Sequence, residues 1–244
     1  MRFIVSQSRP ARTKMLETLG PFGFELFARD VDAVYREMVA DQVFVPQTAP
    51  TVFDLGGIGS GLCRSFAARG PGEIWVLITT MLTVPPPRPL PVTTDFVGPV
   101  VTMPIAALDR QAVVDLYSAV LGIPIRFDGE MRDRDVNRIM SAGDDWRIHI
   151  TVFFIEDGQL VEHHFHMPGD LAAMPTLRGS LRTGPAIYTF TVSDFEATID
   201  AARACGIPVR GPVRLDGFPY SDGMVACLDG PNHELVEIVA MEPG

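Results

Sequence analysis

Three short stretches of the chain lie over one another without gaps. They are Glu73-Ile74-Trp75-Val76, Gln159-Leu160-Val161-Glu162 and Glu234-Leu235-Val236-Glu237, with Gly72, Gly158 and Gly230 upstream of them. Each closes a longer segment of one design: a strand, a helix, then strands ending in an apolar strand. The segments run from about 22 to 81, 97 to 167 and 186 to 241. The first helix carries Val31, Val34, Tyr35 and Met38, the second Val113, Leu116, Tyr117 and Val120, and the third Phe195, Ile199 and Ala202. Such offsets put the apolar side chains on one face of a helix. Asp194 is a candidate N-cap, and Gly122 and Gly206 follow the last helical turns, where glycine takes the left-handed conformation that closes a helix. A unit repeated in this way buries its apolar faces against its neighbours.

The repeat divides the chain. Residues 1–83 hold a first, degenerate unit, and residues 97–244 hold the second and third units, expected to pair. Between them, 84–96 includes Val84-Pro85-Pro86-Pro87-Arg88-Pro89-Leu90-Pro91, a stiff extended connector that cannot join a sheet interior. Residues 168–184 form a second connector. The glycine-rich run from Val52 to Gly61 is similar to the nucleotide loop of methyltransferases. The strand after it, Glu73 to Ile78, does not end in the acid that would hold a ribose, so the run reads as a loop between strands of the first unit.

The formal net charge of −10 argues against nucleic acid as a partner. Arg132, Arg134 and Arg138 come nearest to a basic patch, but Asp133 and Asp135 interleave them. No run reaches the roughly 18 apolar residues of a membrane span, and the first residues lack the apolar core of a signal peptide. The three cysteines, Cys63, Cys205 and Cys227, are odd in number and far apart, which suits a reducing cytoplasm.

The strand–helix–three-strand order, Leu121-Gly122-Ile123-Pro124 after a helix, and Asp229-Gly230-Pro231-Asn232-His233-Glu234-Leu235-Val236-Glu237-Ile238 near the end resemble the vicinal oxygen chelate superfamily of glyoxalases, extradiol dioxygenases and bleomycin-resistance proteins. The resemblance covers 97–241 well and 22–81 more loosely. It implies an α+β fold in which βαβββ units pair curved mixed sheets into a cup, with a small-molecule ligand inside, often on a divalent metal ion. It implies four metal positions per cup, histidines on the first strands and glutamates on the last. Glu162 and Glu237 match the glutamate positions. The histidine positions fall at or near Ile187, counted back from Asp194, and near Thr102, or near Pro99 with a slip, counted back from Asp109. Both carboxylates are kept and both imidazoles lost, so an iron site of two histidines and one carboxylate is not supported.

Other histidines can substitute. Side chains alternate along a strand, so Glu162, His164 and His166 share one face, and His149 lies on the preceding strand. Glu162, His164, His149 and Glu237 make a nitrogen–oxygen set for a divalent ion. Glu162, His164 and Glu237 serve equally as acid–base groups without metal. Tyr188, Tyr220 and Trp146 are candidate lining aromatics.

The leading functional expectation is an enzyme that abstracts a proton beside a carbonyl of a small oxygenated metabolite, of isomerase or lyase type. The alternatives are a non-catalytic protein that sequesters a small molecule, and a metal-dependent ring-cleaving dioxygenase with non-standard ligands. Three units leave one unpaired, which predicts a homodimer through the first unit. The alternative is that the amino-terminal residues cover it within one chain.

Overall fold

An aspartate caps each of the three repeated helices. In the computed structural model α1 spans Val31–Asp41, α2 Arg110–Val114, α3 Arg134–Ile139 and α4 Phe195–Ala204. Asp30, Asp109 and Asp194 are extended, and their side chains accept from the backbone N–H of Ala33, Ala112 and Ala197 at 3.0, 3.1 and 3.0 Å. Each bond satisfies a donor that the first turn leaves open, worth about 1 kcal/mol. Helix α2 widens into a π-helical stretch, Asp115–Val120, which carries Leu116, Tyr117 and Val120 into the core. The structure describes Met15 and residues 19–54, 61–83, 93–131, 134–140, 147–155, 160–167, 187–217, 220 and 223–240, with the backbone alone for 73, 160 and 162–167.

The strands are β1 (Gly20–Pro21), β2 (Gly23–Phe27), β3 (Val45–Pro46), β4 (Thr51–Asp54), β5 (Leu62–Arg69), β6 (Trp75–Met81), β7 (Val100–Ala107), β8 (Ile125–Met131), β9 (Arg147–Phe154), β10 (Leu160–Met167), β11 (Ile187–Val192), β12 (Val209–Leu215), β13 (Gly223–Asp229) and β14 (Leu235–Ala240). In each unit the first strand runs parallel to the last: β2 with β6, β7 with β10, β11 with β14. The register is the same each time, pairing Glu25 with Leu77, Pro104 with Glu162 and Thr189 with Glu237. The repeat read from sequence is thus a structural repeat, and the fold is α+β. Across the glycine-rich run β4 and β5 pair antiparallel, Phe53 opposite Cys63; residues 55–60 lie outside the described residues.

The second and third units lie in different sheets. Strands β2 and β7 pair antiparallel, Glu25 opposite Thr102, which merges the first and second units into one ten-stranded sheet in the order β3-β5-β6-β2-β7-β10-β9-β8, with β1 on β7 and β4 on β5. The third unit is a separate four-stranded sheet, β11-β14-β13-β12. Pairing β2 with β7 satisfies two rows of backbone groups that would otherwise be open edges. The first unit therefore pairs with the second within the chain.

Units two and three meet instead through their helices. Val113, Leu116, Tyr117 and Val120 pack with Phe195, Ile199 and Ala202, and with Ile105, Val161, Phe190 and Ile238 from the sheets behind them. Each fully buried side chain of this kind contributes roughly 1.5–3 kcal/mol. A second cluster joins α1 (Val31, Val34) to Phe66, Val76 and Ile78. A third lies on the opposite face of the ten-stranded sheet, here called the inner face. It holds Trp75, Ala106, Ile150 and Val152 from strands of both units, Phe22 between β1 and β2, Val136 and Ile139 of α3, and Met15. No described helix is long and apolar enough to cross a membrane.

Candidate functional site

Strand parity fixes what the inner face carries. On β7, Ile105 and Ala107 turn to the helices and Ala106 to the inner cluster, so Thr102 and Pro104 fall on the inner face. On β6, Val76 and Ile78 pack on α1, leaving Trp75, Leu77 and Thr79 for the inner face. Glu25 of β2 belongs to the same face: Thr79 Oγ1 donates to its Oε1 at 2.6 Å and lies 3.0 Å from Ser65 Oγ. Ser65, Thr79 and Thr102 are buried, and Glu25 is half-buried. A carboxylate and three hydroxyl groups therefore sit in an otherwise apolar wall.

The β10 residues join this face by register. Glu162 lies opposite Pro104 and Val152, and His164 opposite Ala106 and Ile150, all four inner-face positions; His166 lies opposite Ile148. Their side chains lie outside the described residues.

His149 and Glu237 do not meet them. His149 has the opposite parity on β9, beside Thr151, and its Nε2 lies 2.7 Å from Asp128 Oδ1. Asp128 also accepts from Thr151 Oγ1 at 2.8 Å and from Arg110, whose Nε is 2.9 Å away and whose Nη2 reaches the second carboxylate oxygen. The hydrogen bond from Arg110 holds the Asp128 carboxyl well below the usual carboxylate range; burial opposes it, and His149 and Thr151 reinforce it. This group ties the start of α2 to β8 and β9.

Glu237 sits on the smaller sheet, on the face away from the helices. It is 8% exposed and accepts from Thr189 Oγ1 and Tyr220 OH, both at 2.8 Å. Cys227, its neighbour on β13, has its thiol pKa pushed up by burial, with Arg210 opposing and Glu237 and Asp229 adding. That direction is opposite to the shift that activates a thiol nucleophile. Glu162 and Glu237 thus occupy equivalent positions of two different sheets, whose apolar helix layer lies between them. Of the set Glu162, His164, His149 and Glu237, the described side chains of His149 and Glu237 lie on different sheets, and those of Glu162 and His164 lie outside the described residues. Tyr188 points into the helix layer, Tyr220 holds Glu237, and Trp146 lies outside the described residues.

The metal positions implied by the resemblance can be tested on the ten-stranded sheet. The count that reaches Thr102 from Asp109 reaches Gly23 from Asp30, and the register that reaches Glu162 reaches Leu77. Glycine, threonine and leucine stand where three of four ligands would be. Among the described residues no three of His, Cys, Asp and Glu come together as a metal site. The described donors do not fit a divalent ion of that type, and no step below passes through one.

Glu25, Ser65, Thr79 and Trp75 were not foreseen as site residues. A signal for Glu25 existed: it precedes its cap Asp30 by the same interval as Thr189 precedes Asp194, so the repeat alone assigns it to that position.

No protein-family model matches the sequence, and no curated protein matches it. Solved structures do. Glyoxalase I from Zea mays superposes with a TM-score of 0.56 at 15% identity, over 92% of this chain and 68% of that one. A single-substitution variant of the same maize protein gives 0.58 at 14%, over 92% and 68%. A candidate dioxygenase from Bacillus subtilis gives 0.52 at 12%, over 96% and 66%. Paired βαβββ units in curved mixed sheets, with these neighbours, define the class: the chain has the vicinal oxygen chelate fold. Within it, this is a three-unit, glyoxalase-like chain with one shared sheet and one separate sheet.

Proposed function

We propose that the chain takes a small, mostly apolar, oxygenated molecule on the inner face of its ten-stranded sheet and removes a proton from a carbon beside its carbonyl. One observation carries this reading: the Glu25 carboxylate, with its Thr79 and Ser65 hydroxyls, shares a largely apolar face with the register positions of Glu162 and His164. Glu162 or His164 is the base. The C–H electron pair moves into the carbonyl to give an enolate. Where the deprotonated carbon bears a hydroxyl, the intermediate is an enediolate; a proton returned to the former carbonyl carbon, with the hydroxyl proton passing to the neighbouring oxygen, completes an isomerisation. Where the carbon on the other side bears a leaving group, the enolate pair re-forms the carbonyl and expels that group with its bonding pair, which completes a lyase step. An apolar wall suits such chemistry because water is kept from the enolate and the field of each fixed dipole is stronger there. The free thiols of Cys63, Cys205 and Cys227 support a cytoplasmic setting.

A non-catalytic sequestering protein is the rival, favoured by the density of the inner wall, where Met15, Phe22 and α3 pack on the sheet. Solvent exchange decides between them. In deuterium oxide, a panel of small 2-hydroxy ketones and vicinal diketones is incubated with the protein and followed by proton NMR. The enzyme reading expects deuterium to enter beside a carbonyl. It also expects Glu162→Gln or His164→Ala to slow that by about a hundredfold, the scale of losing a general base. Binding without exchange, or full rates in both variants, refutes it.

A further inference from the structure

Among the described residues three buried side-chain polar atoms have no hydrogen-bond partner: Trp75 Nε1, Thr102 Oγ1 and Asn232 Nδ2. Asn232 sits at the junction of the second and third units, where its Oδ1 accepts from Leu108 N–H. The other two share the inner face and are each 1% exposed. A buried donor left unpaired costs about 1–3 kcal/mol, and each such group calls for an explanation.

We propose that Trp75 Nε1–H and Thr102 Oγ1–H are the anchoring donors for a neutral, apolar ligand that carries acceptor oxygens. This rests on the inner-face reading above and names its ligand class. Trp75 lies on β6 opposite Gly23, and Thr102 on β7 opposite Glu25, so the two donors flank β2 from either side. Gly23 puts no side chain between them. Both groups have a proton to give, and neither carries a charge. The strand between them bears the Glu25 carboxylate, which disfavours an anion at the same place. The Thr102 hydroxyl and the Glu25 carboxylate can both accept, but the Trp75 indole N–H only donates, so a bare cation leaves it unpaired. What remains is a carbonyl, ester or ether oxygen on an apolar frame.

One further feature agrees: the inner cluster that holds Trp75 is rich in methionine. Met15, Met131 and Met140 belong to the inner cluster, and Met81 packs against it. Methionine is unbranched and turns about three bonds, so such a lining repacks around a guest at low cost. A ligand enters by shifting these side chains, not by finding a rigid hole.

The test uses phenylpropanedione, with two adjacent carbonyl oxygens, against propylbenzene, of similar shape with none. The full-length protein, labelled with 15N and with 13C methyl groups, is titrated with each. The Trp75 indole N–H signal is identified by its loss in Trp75→Phe. The dione is expected to move that indole proton downfield and to bind at least tenfold more tightly than propylbenzene, since one net hydrogen bond is worth roughly a factor of ten. Thr102→Val should weaken the dione by about tenfold and leave propylbenzene unchanged. If both compounds shift the Ile150 and Val152 methyls with equal affinity and the indole does not move, the donor subsite is wrong while the inner-face site stands. If neither compound shifts those methyls, the subsite and the inner-face reading fall together.

Discussion

Replacing Thr102 by valine removes a hydroxyl that has nothing to bond to. The residue is 1% exposed on the central strand β7, with Glu25 opposite it on β2 and Leu160 on β10. Its Oγ1 has no partner. Burying a hydroxyl without a hydrogen bond costs about 1–3 kcal/mol. Valine keeps the branched shape and puts a methyl in its place, and it fits a strand at least as well. Packing is therefore preserved while a penalty disappears, and Thr102→Val should stabilise the unliganded protein by about 1–2 kcal/mol. For a chain of this size 1 kcal/mol corresponds to roughly 2–4 °C, so Tm should rise by about 2–8 °C. Thermal unfolding followed by circular dichroism, with the midpoint in urea as a second measure, reads this directly. A Tm that falls by several degrees would refute the reasoning, because it would mean that the hydroxyl is bonded in the free protein. Higher stability with weaker dione binding is the joint signature of a position kept for a ligand and not for the fold.

Two other sites give clear expectations. Asp128→Asn removes the charge that Arg110, His149 and Thr151 share; these groups are partly exposed, at 28% for Asp128 and 43% for Arg110, so after screening the cost at neutral pH is about 1–2 kcal/mol. The folded Asp128 carboxyl is held below its unfolded value of about 3.9, so its contribution is complete above that pH and is lost as pH falls through the folded value; urea midpoints of the two proteins should converge in acid, and a gap that persists or widens there contradicts the assignment. Gly23→Ala drives a methyl into the backbone carbonyl of Trp75 across the β2–β6 pair, and should cost about 3 kcal/mol or more, read as soluble yield and Tm; a near-neutral result would mean that β2 and β6 are not paired in this register.

Much of each unit was legible in the sequence. The cap aspartates, the apolar helix stripes and the parity of each strand are local properties, set within a few residues by hydrogen-bond geometry and by helical or strand periodicity. Glu162 and His164 were assigned to one face by alternation, and the register with Ala106, Ile150 and Val152 agrees with that. His149 was not legible, because which parity of β9 faces inward depends on how that strand pairs with β8 and β10.

The chain's sequence by itself determined that there are three units, that each begins with a capped helix behind a strand, and which residues alternate on each strand. Only the tertiary structure decided which units share a sheet. Both faces of β7 are buried, Ile105 and Ala107 on one and Thr102 and Ala106 on the other, so hydrophobicity does not say which partner covers which face. The bond that joins the first two units, β2 to β7, is made by backbone N–H and C=O groups, which every residue but proline carries alike and which leave no side-chain signature. That one pairing puts the first and second units, and not the second and third, in one sheet. It separated Glu162 from Glu237 and brought Glu25, Thr79, Trp75 and Thr102 to the face where the chemistry is now sought.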